Sequence, residues 1–428
     1  MKEKLISSGG EAFDSRQNSS NDDSEDTTNV SGDEDTCGLQ EVNDLFQIKC
    51  KIADESAVSL RNDYVLSLAA DSGFTRVAAG LSSATVHIFD INAQRTLSTL
   101  SDIPAPVTNE RTTTCGVRFL DETPNCLLVG SSHGLVRLFD LRTQSEQARF
   151  EEDIEFTQSI SNFRAAKGMH MQKTINCFDT NSNGRILCTG TNQSQGNVFL
   201  FFYDIRERKP LGAYFDSHED DITALCFHAT NPDLMCSGST DGLINVYNLK
   251  EATEDDALLT TINTESSVQM LNWHKNVYEH DLISCITHCH DFHVYLADEA
   301  DVVAKFEREK IAEAAKGINE TKCNVIGAHS LENGDLFLLV GTNRGKSEVL
   351  RSLRLGKDLL PRADFIGNKQ LVRASIFDQK SGTVATGGES GFVTLWTTEN
   401  TTNDEPVLTS SSSGLKHKSK KLKKKTPY

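Results

Sequence analysis

The sequence has few aromatic residues, little proline and no long apolar run. A composition of 37% hydrophobic and 7% aromatic residues suits many short, half-buried strands better than one large helical core. The most apolar stretch, residues 198–203, is far shorter than the roughly 20 residues that a membrane-spanning helix needs. The first ten residues contain no apolar core of signal-peptide length. We therefore expect a soluble protein that is not secreted and binds no membrane.

Two sequence motifs that indicate catalysis are also missing. There is no complete Gly-x-x-x-x-Gly-Lys-Ser/Thr loop for binding phosphates, and no His-Glu-x-x-His pair for binding zinc. Single aspartates and histidines near strand ends do not by themselves indicate catalysis. We expect a protein that is not an enzyme and that uses no cofactor.

The 11 cysteines are scattered, and their odd number and irregular spacing do not suggest a disulfide framework. We interpret them as reduced thiols of an intracellular protein. Residues 285–293 concentrate five potential zinc ligands, which are Cys285, His288, Cys289, His290 and His293. On a strand, positions 285, 289 and 293 face away from 288 and 290, so a metal site would need a tight turn near His290 to regroup them. The favoured interpretation is strand thiols and turn histidines without a metal.

The net charge of −18 is unevenly distributed along the chain. Residues 1–45 carry −9 and residues 409–428 carry +7, which leaves −16 on the remainder. An acidic body is unsuited to lying broadly on nucleic acid, because the phosphate backbone requires a positive surface. Nucleic-acid binding is expected, if at all, only through the basic end.

That basic end contains seven lysines and no acid, at Lys416, Lys418, Lys420, Lys421, Lys423, Lys424 and Lys425. Such a cluster is typical of a nuclear or nucleolar targeting signal, or of an arm that touches RNA. A solubilising tail is the plainer alternative. Base stacking would need aromatic residues, and Tyr428 is the only one there. We favour targeting, and expect a nuclear or nucleolar protein, with the cytoplasm as the alternative.

One phrase recurs along the chain: small residues, a glycine-containing turn, alternating apolar residues, then an aromatic residue that is often followed by aspartate. It is clearest at residues 129–141 (Val-Gly-Ser-Ser-His-Gly-Leu-Val-Arg-Leu-Phe-Asp-Leu), 236–249 and 385–396, and it also occurs at 78–91 and, with an insertion, at 188–205. Such a phrase predicts two adjacent strands joined by a tight turn. Its repetition indicates the blades of a β-propeller, which have roughly 40–50 residues each.

We predict an all-β, seven-bladed propeller over residues 46–400, between disordered tails at 1–45 and 401–428. The predicted blades cover residues 64–100, 115–150, 176–215, 222–262, 268–306, 323–355 and 371–396. The last has only three strands, which would leave an unpaired edge. Residues 46–52 alternate apolar with polar side chains, and we predict that they supply the missing strand and close the ring. Residues 307–316 predict a short surface helix that ends at Gly317.

The recurring phrase resembles the WD-repeat family of propellers over roughly residues 46–400. The resemblance implies a polar network in each blade, formed by a loop histidine, a strand serine, a turn aspartate and an aromatic residue. In the fourth blade these are His218, Ser237, Asp241 and Tyr247, with tyrosine where tryptophan is usual. The seventh blade has Trp396, but lacks the turn aspartate. The resemblance implies structural, non-catalytic roles for these residues.

Two phrases, Phe139-Asp-Leu-Arg142 and Tyr203-Asp-Ile-Arg206, resemble the Trp-Asp-x-Arg ending of receptors that dock on the cullin-4 ligase adaptor. An arginine just past a strand end lies on a rim, where its forked guanidinium can reach an acidic partner. Arg142 and Arg206 are therefore candidate partner-binding residues. The alternative is that each pairs with a neighbouring acid of this chain.

The acidic corner, residues 218–221, offers a second candidate, with Glu219 and Asp220 as partner-binding residues. It could bind a basic peptide, or it could be a solvated turn whose aspartates bond to the backbone. We expect a monomeric, non-catalytic scaffold for protein–protein interactions in a nuclear assembly. One alternative is a substrate receptor of a cullin-4 ubiquitin ligase. A less favoured one is a propeller enzyme with a site on the face that carries the inter-blade loops.

Overall fold

The computed structural model describes residues 44–58, 63–106, 112–120, 123–152, 173–342 and 349–398. In these residues the chain consists mainly of short β-strands. The predicted tail at 1–45, except for its last two residues, and the predicted tail at 401–428 lie outside the described residues, as do all seven candidate targeting lysines. No helix in the described part is long and apolar enough to cross a membrane.

The first strand of the described residues, β1 (Ile48–Ala57), does not pair with the strands that come immediately after it, between residues 65 and 306. Those strands form successive antiparallel sheets of four, five of them within the described residues. The five sheets are β2 (Val65–Ala70), β3 (Arg76–Leu81), β4 (Val86–Ile91) and β5 (Leu97–Ile103); β6 (Thr114–Leu120), β7 (Thr123–Ser131), β8 (Leu135–Asp140) and β9 (Ser145–Glu151); β10 (Ile175–Thr180), β11 (Ile186–Thr191), β12 (Leu200–Asp204) and β13 (Lys209–Tyr214); β14 (Ile222–Phe227), β15 (Leu234–Ser239), β16 (Leu243–Asn248) and β17 (Leu258–Asn263); and β18 (Val268–Lys275), β19 (Asp281–Thr287), β20 (Phe292–Leu296) and β21 (Val302–Phe306).

The remaining strands belong to one eight-stranded sheet that includes β1. They are β22 (Cys323–Ser330), β23 (Leu336–Thr342), β24 (Leu350–Leu355), β25 (Leu359–Ile366), β26 (Val372–Phe377), β27 (Val384–Gly388) and β28 (Phe392–Thr398). β1 lies between β25 and β28, antiparallel to β28 with Ile52 opposite Trp396, and parallel to β25 with Ile48 opposite Ala363. The predicted all-β propeller architecture is confirmed, whereas the number of blades stays a prediction.

The bounds predicted for the closing strand differ from those observed. β1 begins two residues later than expected and continues to Ala57, with an irregularity between Ile52 and Asp54. Phe46 precedes the strand and is fully buried, and the guanidinium carbon of Arg351 lies 4.8 Å from the centre of its ring. The segment before β1 is therefore anchored by packing rather than by strand pairing.

Each set of four strands, called a to d in chain order, has two distinct ends. Antiparallel neighbours reverse direction, so the a–b and c–d turns lie at one end and the b–c turns lie at the other. The connection from strand d to the next set also leaves from the second end. We call these the ab end and the bc end.

Adjacent sheets pack very closely, and the glycines of the recurring phrase permit this approach. A Cβ atom on Gly238 of β15 would lie only 2.5 Å from Cγ1 of Val268 on β18. A Cβ atom on Gly387 of β27 would likewise collide with Val65 on β2, so the last set packs against the first. Because interiors are close-packed, no larger residue fits at these contacts without displacing the neighbouring sheet.

Helices are short in the described residues. α1 (Glu254–Ala257) begins after Thr253, whose side chain accepts a hydrogen bond from the Asp256 N–H. α2 (Arg308–Ala315) lies between β21 and β22 and is followed by a 3₁₀ turn at Glu320–Lys322. The helix predicted at residues 307–316 is thus confirmed within one residue at each end. Its buried side chains, Ile311, Ala312 and Ala315, show that one face packs into the protein rather than lying on the surface.

Deleting residues 1–57 should destabilise the protein strongly, because it removes β1 and the Phe46 anchor. Truncating a fully buried phenylalanine alone typically costs about 3–5 kcal/mol. Deleting residues 1–43 keeps Phe46 and β1, and should leave the melting temperature nearly unchanged. Thermal unfolding of the two truncated forms measures the difference, and equal melting temperatures would contradict closure through β1.

Candidate protein-interaction sites

The four polar residues predicted for the fourth blade converge in a hydrogen-bonded network. His218 lies in the connection before β14, Ser237 on β15, Asp241 in the β15–β16 turn and Tyr247 on β16. The His218 Nδ1–H donates to Oδ2 of Asp241 over 2.9 Å, and its Nε2 lies 2.7 Å from Oγ of Ser237. Ser237 Oγ is 3.3 Å from the Tyr247 hydroxyl. The imidazole is buried, so these contacts replace water around it and fix the loop.

Tyr247 occupies the position that the resemblance assigns to tryptophan. Its ring is fully buried, and its hydroxyl lies 2.7 Å from Oγ of Ser217 as well as near Ser237. Burial raises the pKa of Tyr247, so the hydroxyl stays protonated and can donate. The tyrosine therefore reaches the loop through its hydroxyl, where a tryptophan would use its ring N–H.

One member of this network was not expected from the sequence. Asn245 Nδ2–H donates to the Ser217 carbonyl over 2.7 Å and lies 3.3 Å from His218 Nε2. The only available signal was that Asn245 and Tyr247 are two positions apart and so share a face of the strand. Polar residues occur at many such positions, so this spacing alone could not identify the contact.

Asp241 is the charged member of the network. Burial acts to raise the pKa of its carboxyl group, but hydrogen bonds from His218 and from the backbone N–H groups of Leu243 and Glu219 outweigh this and hold the pKa below its usual range. The carboxylate therefore stays ionised and holds the loop and the turn together.

The seventh blade uses a different contact. Trp396 is buried, and its indole N–H donates to Oγ1 of Thr386 over 2.8 Å. Its ring packs edge-on against Phe365 of β25, with 5.4 Å between ring centres. Trp396 therefore joins the last three strands to the preceding set, next to the pairing of β1.

The acidic corner projects from the bc end beside the His218 network. Glu219 and Asp220 are exposed, and the Glu219 N–H donates to Asp241 over 3.1 Å. The Gln193 N–H donates to Asp221 over 2.6 Å, and the Gln193 side-chain amide donates to the Glu219 carbonyl over 3.2 Å. Backbone and side-chain hydrogen bonds thus hold this loop in one conformation while two carboxylates face solvent.

Arg142 and Arg206 lie at the opposite end. Each lies two residues past strand c of its set, β8 or β12, and is exposed at the ab end. Arg142 Nη2–H donates to Asp140 over 2.9 Å although its side chain is 70% exposed, and this contact holds the pKa of the Asp140 carboxyl below its usual range. The Arg206 N–H donates to Asp204 over 2.9 Å. The two arginines therefore belong to one end, and the acidic corner does not share a site with them.

The cysteine and histidine segment does not form a metal centre in the described part of the chain. Cys285 on β19 lies opposite His293 on β20, and the His293 Nδ1 is 2.9 Å from the Tyr295 hydroxyl. Cys289 is exposed in the turn. Within the described ranges no group of three or more His, Cys, Asp or Glu side chains is arranged to hold a metal ion.

Replacing His218→Ala should destabilise the protein by about 1–3 kcal/mol, because Asp241 and Ser237 would lose a buried partner. The neighbouring exposed residue offers a matched control, since Glu219→Ala should change the stability by less than about 0.5 kcal/mol. Urea unfolding of the two variants measures both free energies. Equal stabilities would show that the network does not hold the loop.

Comparison with known proteins agrees with this architecture. The model of a family described as "Nucleolar protein 10-like, N-terminal domain" matches residues 102–295. WD repeat-containing protein 89 homolog of Dictyostelium discoideum is 26% identical over 186 residues, which are 39% of this chain and 51% of that protein. A DDB1- and CUL4-associated factor 11 homolog of Caenorhabditis elegans is 30% identical over 77 residues, which are 18% of this chain and 13% of that protein.

The chain spans about half the length of the first curated relatives it matches. A chain from the crystal structure of the mitotic checkpoint complex has the same fold, with a TM-score of 0.59 at 15% identity, covering 88% of this chain and 96% of that one. The resemblance to WD repeat-containing protein 89, expected from residues 211–261, is confirmed by the similarity to its Dictyostelium homolog. The chain therefore has a β-propeller fold and is similar to WD-repeat proteins.

Proposed function

We propose that this protein is a non-catalytic scaffold that holds other proteins together in a nuclear assembly. WD-repeat proteins generally serve as interaction scaffolds, and the described residues have the WD-repeat fold. The observation that carries the proposal is the acidic corner, in which Glu219 and Asp220 are exposed on a loop fixed by the His218 network.

A basic peptide segment is the partner that this corner fits. The carboxylates of Glu219 and Asp220 can accept charge-assisted hydrogen bonds from lysine or arginine side chains. The loop loses little conformational freedom on binding because its backbone is already held by Gln193 and Asp241. Opposite charges across such a contact raise the association rate and exclude acidic competitors.

Affinity purification with mass spectrometry tests the scaffold role. Reversing the charges with Glu219→Lys and Asp220→Lys should remove one group of partners. The control is an exposed acidic pair at the ab end, Asp298 and Glu299. The double variant Asp298→Lys with Glu299→Lys should still bind the partners that the first double variant loses. If wild-type protein captures no partners above background, the scaffold proposal fails. If both double variants keep the same partners, the acidic corner is not the binding site.

The geometry offers little support for a propeller enzyme. Residues 130–134, Gly-Ser-Ser-His-Gly, match the letters of a nucleophile elbow, but an elbow joins a strand to a helix. Here the segment joins strand β7 to strand β8. His218 lies between Asp241 and Ser237, which is the order of groups in a catalytic triad, but Ser237 is fully buried, so its hydroxyl is closed to a substrate and serves the network instead.

A second candidate function, a substrate receptor of a cullin-4 ligase, is favoured by a specific observation. Arg142 is 70% exposed, and Asp140 holds its guanidinium at the rim beside the end of β8. Arg206 occupies the equivalent place at the end of β12 in the adjacent sheet. The short similarity to the DDB1- and CUL4-associated factor 11 homolog is consistent with this candidate.

Replacing both Arg142→Ala and Arg206→Ala separates these functions. If the arginines dock on a ligase adaptor, each loses a charge-assisted contact worth about 2 kcal/mol or more, so co-precipitation of the adaptor should disappear. The exposed pairing with Asp140 is worth only about 0–1 kcal/mol, so the melting temperature should hardly change. Absence of the adaptor from wild-type precipitates would end the receptor candidate.

The proposed nuclear location has two independent supports. The lysine cluster at residues 416–425 has the composition of a targeting signal. The matching family model is described as nucleolar protein 10-like, which points to the nucleolus within the nucleus.

A further inference from the structure

The ab ends of four successive sets of strands enclose a cavity of about 530 Å³. Its lining includes Trp273 at the end of β18, Asn276 and Val277 from the β18–β19 turn, Ser330 and Glu332 from the β22–β23 region, and Gln379 from the β26–β27 turn. The acidic corner lies at the bc end, so this cavity is a separate feature. Its size is within the range of pockets that bind ligands.

The walls of the cavity are rigid. Gly334 has a φ of 79°, and a Cβ atom there would lie 3.0 Å from the backbone nitrogen of Val277, so the turns of two sheets are in direct contact. Gln379 Nε2–H donates to the Ser330 carbonyl over 2.9 Å. His274 Nδ1 lies 2.6 Å from Ser330 Oγ. Turns of three of the four sets are thus joined around the cavity by contacts that do not need a ligand.

One residue of the lining, Trp273, carries a hydrogen-bond donor without a partner among the described residues. The indole Nε1 of Trp273 is buried and has no acceptor among the described residues. Such groups are rare in native proteins, because a buried donor without a partner loses its bond to water and gains nothing in return. Val277 on the lining is 61% exposed, and Tyr278, which follows it in the β18–β19 turn outside the lining, is 78% exposed. A fitting ligand therefore offers apolar side chains to the exposed Val277.

The end of the last strand lies close to this cavity. Trp396 of β28 is opposite Val384, and Val384 is opposite Phe377, so Thr398 and Gln379 are at the same end of one set. Neighbouring strands are about 4.8 Å apart, which places the end of β28 about 10 Å sideways from the end of β26. Residues 399–428 follow from that point. Ten residues can span up to about 35 Å, so residues 409 onward can reach the cavity.

We propose that the cavity binds the lysine- and serine-rich segment of this same chain, residues 409–428. Leu415 and Leu422 supply the apolar side chains. The lysines face Glu332 on the cavity lining, whereas Glu279 is already paired with Lys275 over 3.5 Å, and the exposed ring of Tyr278 in the same turn attracts a cation. Because the segment is tethered, its effective concentration is on the order of millimolar, so even a weak contact is populated.

Photo-cross-linking of the full chain tests this proposal. The exposed side chain of Tyr278 is replaced, Tyr278→p-benzoylphenylalanine, and the cross-linked peptides are mapped by mass spectrometry. Tyr64 is the matched control, because it is an exposed tyrosine at the bc end, where β2 begins. We expect position 278 to cross-link to residues 409–428 within one chain, about ten-fold more than position 64, which corresponds to a preference of about 1.4 kcal/mol.

Three results would overturn the proposal. Equal yields from positions 278 and 64 would mean that the segment has no preferred site. Cross-links between two chains would make a second copy the occupant. If position 278 cross-links only to residues other than 409–428, a different segment or molecule occupies the cavity.

A charge reversal gives an independent measurement. In the Tyr278-labelled chain, Glu332→Lys should lower the cross-link yield several-fold, because it places a positive charge beside the lysines. Glu299→Lys, also exposed at the ab end but outside the cavity, should leave the yield unchanged. Equal effects of the two substitutions would show that only the general acidity of the protein attracts the segment, and would overturn the cavity as its site.

Discussion

Closure of the propeller depends on β1 being paired along both of its edges. Four residues, beginning with Ile48, pair in parallel with β25, and the strand from Cys50 to Ala57 pairs antiparallel with β28. Lys49 adds an ion pair of 3.3 Å to Asp364. Without β1, both β28 and β25 would present open edges, which invite pairing with other chains. One strand thus completes the last set and joins it to the set before.

Closure also matters for the candidate sites, because it holds the sheets in fixed positions relative to one another. The ab ends of all the sheets, and likewise their bc ends, therefore keep their arrangement. The acidic corner lies at the bc end, whereas Arg142, Arg206 and the cavity beside Trp273 lie at the ab end. A partner on one end therefore does not compete directly with a partner on the other. This separation suits a scaffold, which must hold more than one protein at a time.

The features that could be predicted from the sequence are those with a local cause. Glycines such as Gly238 recur because each sheet needs a small residue where its neighbour approaches, and that requirement leaves a repeated phrase. His218 and Asp241 were identifiable because each holds a fixed place in that phrase. The parallel pairing of β1 with β25 leaves no such signature, because any exposed edge of suitable length would serve. The cavity is formed by turns from four sets, so no single segment of the sequence predicts it. Nor does any segment show that the buried indole N–H of Trp273 lacks an acceptor.

The pairing of β1 with β28 also has a consequence for how the chain is made. Glu55 accepts a hydrogen bond of 3.3 Å from Thr394, a residue 339 positions later in the sequence. The ribosome therefore produces β1 long before β28, which is the last strand of the described residues. At about 5–20 residues per second, the early strand waits for on the order of half a minute with its edges unpaired. During that interval both edges of β1 lack their final partners and are open to pairing with other chains.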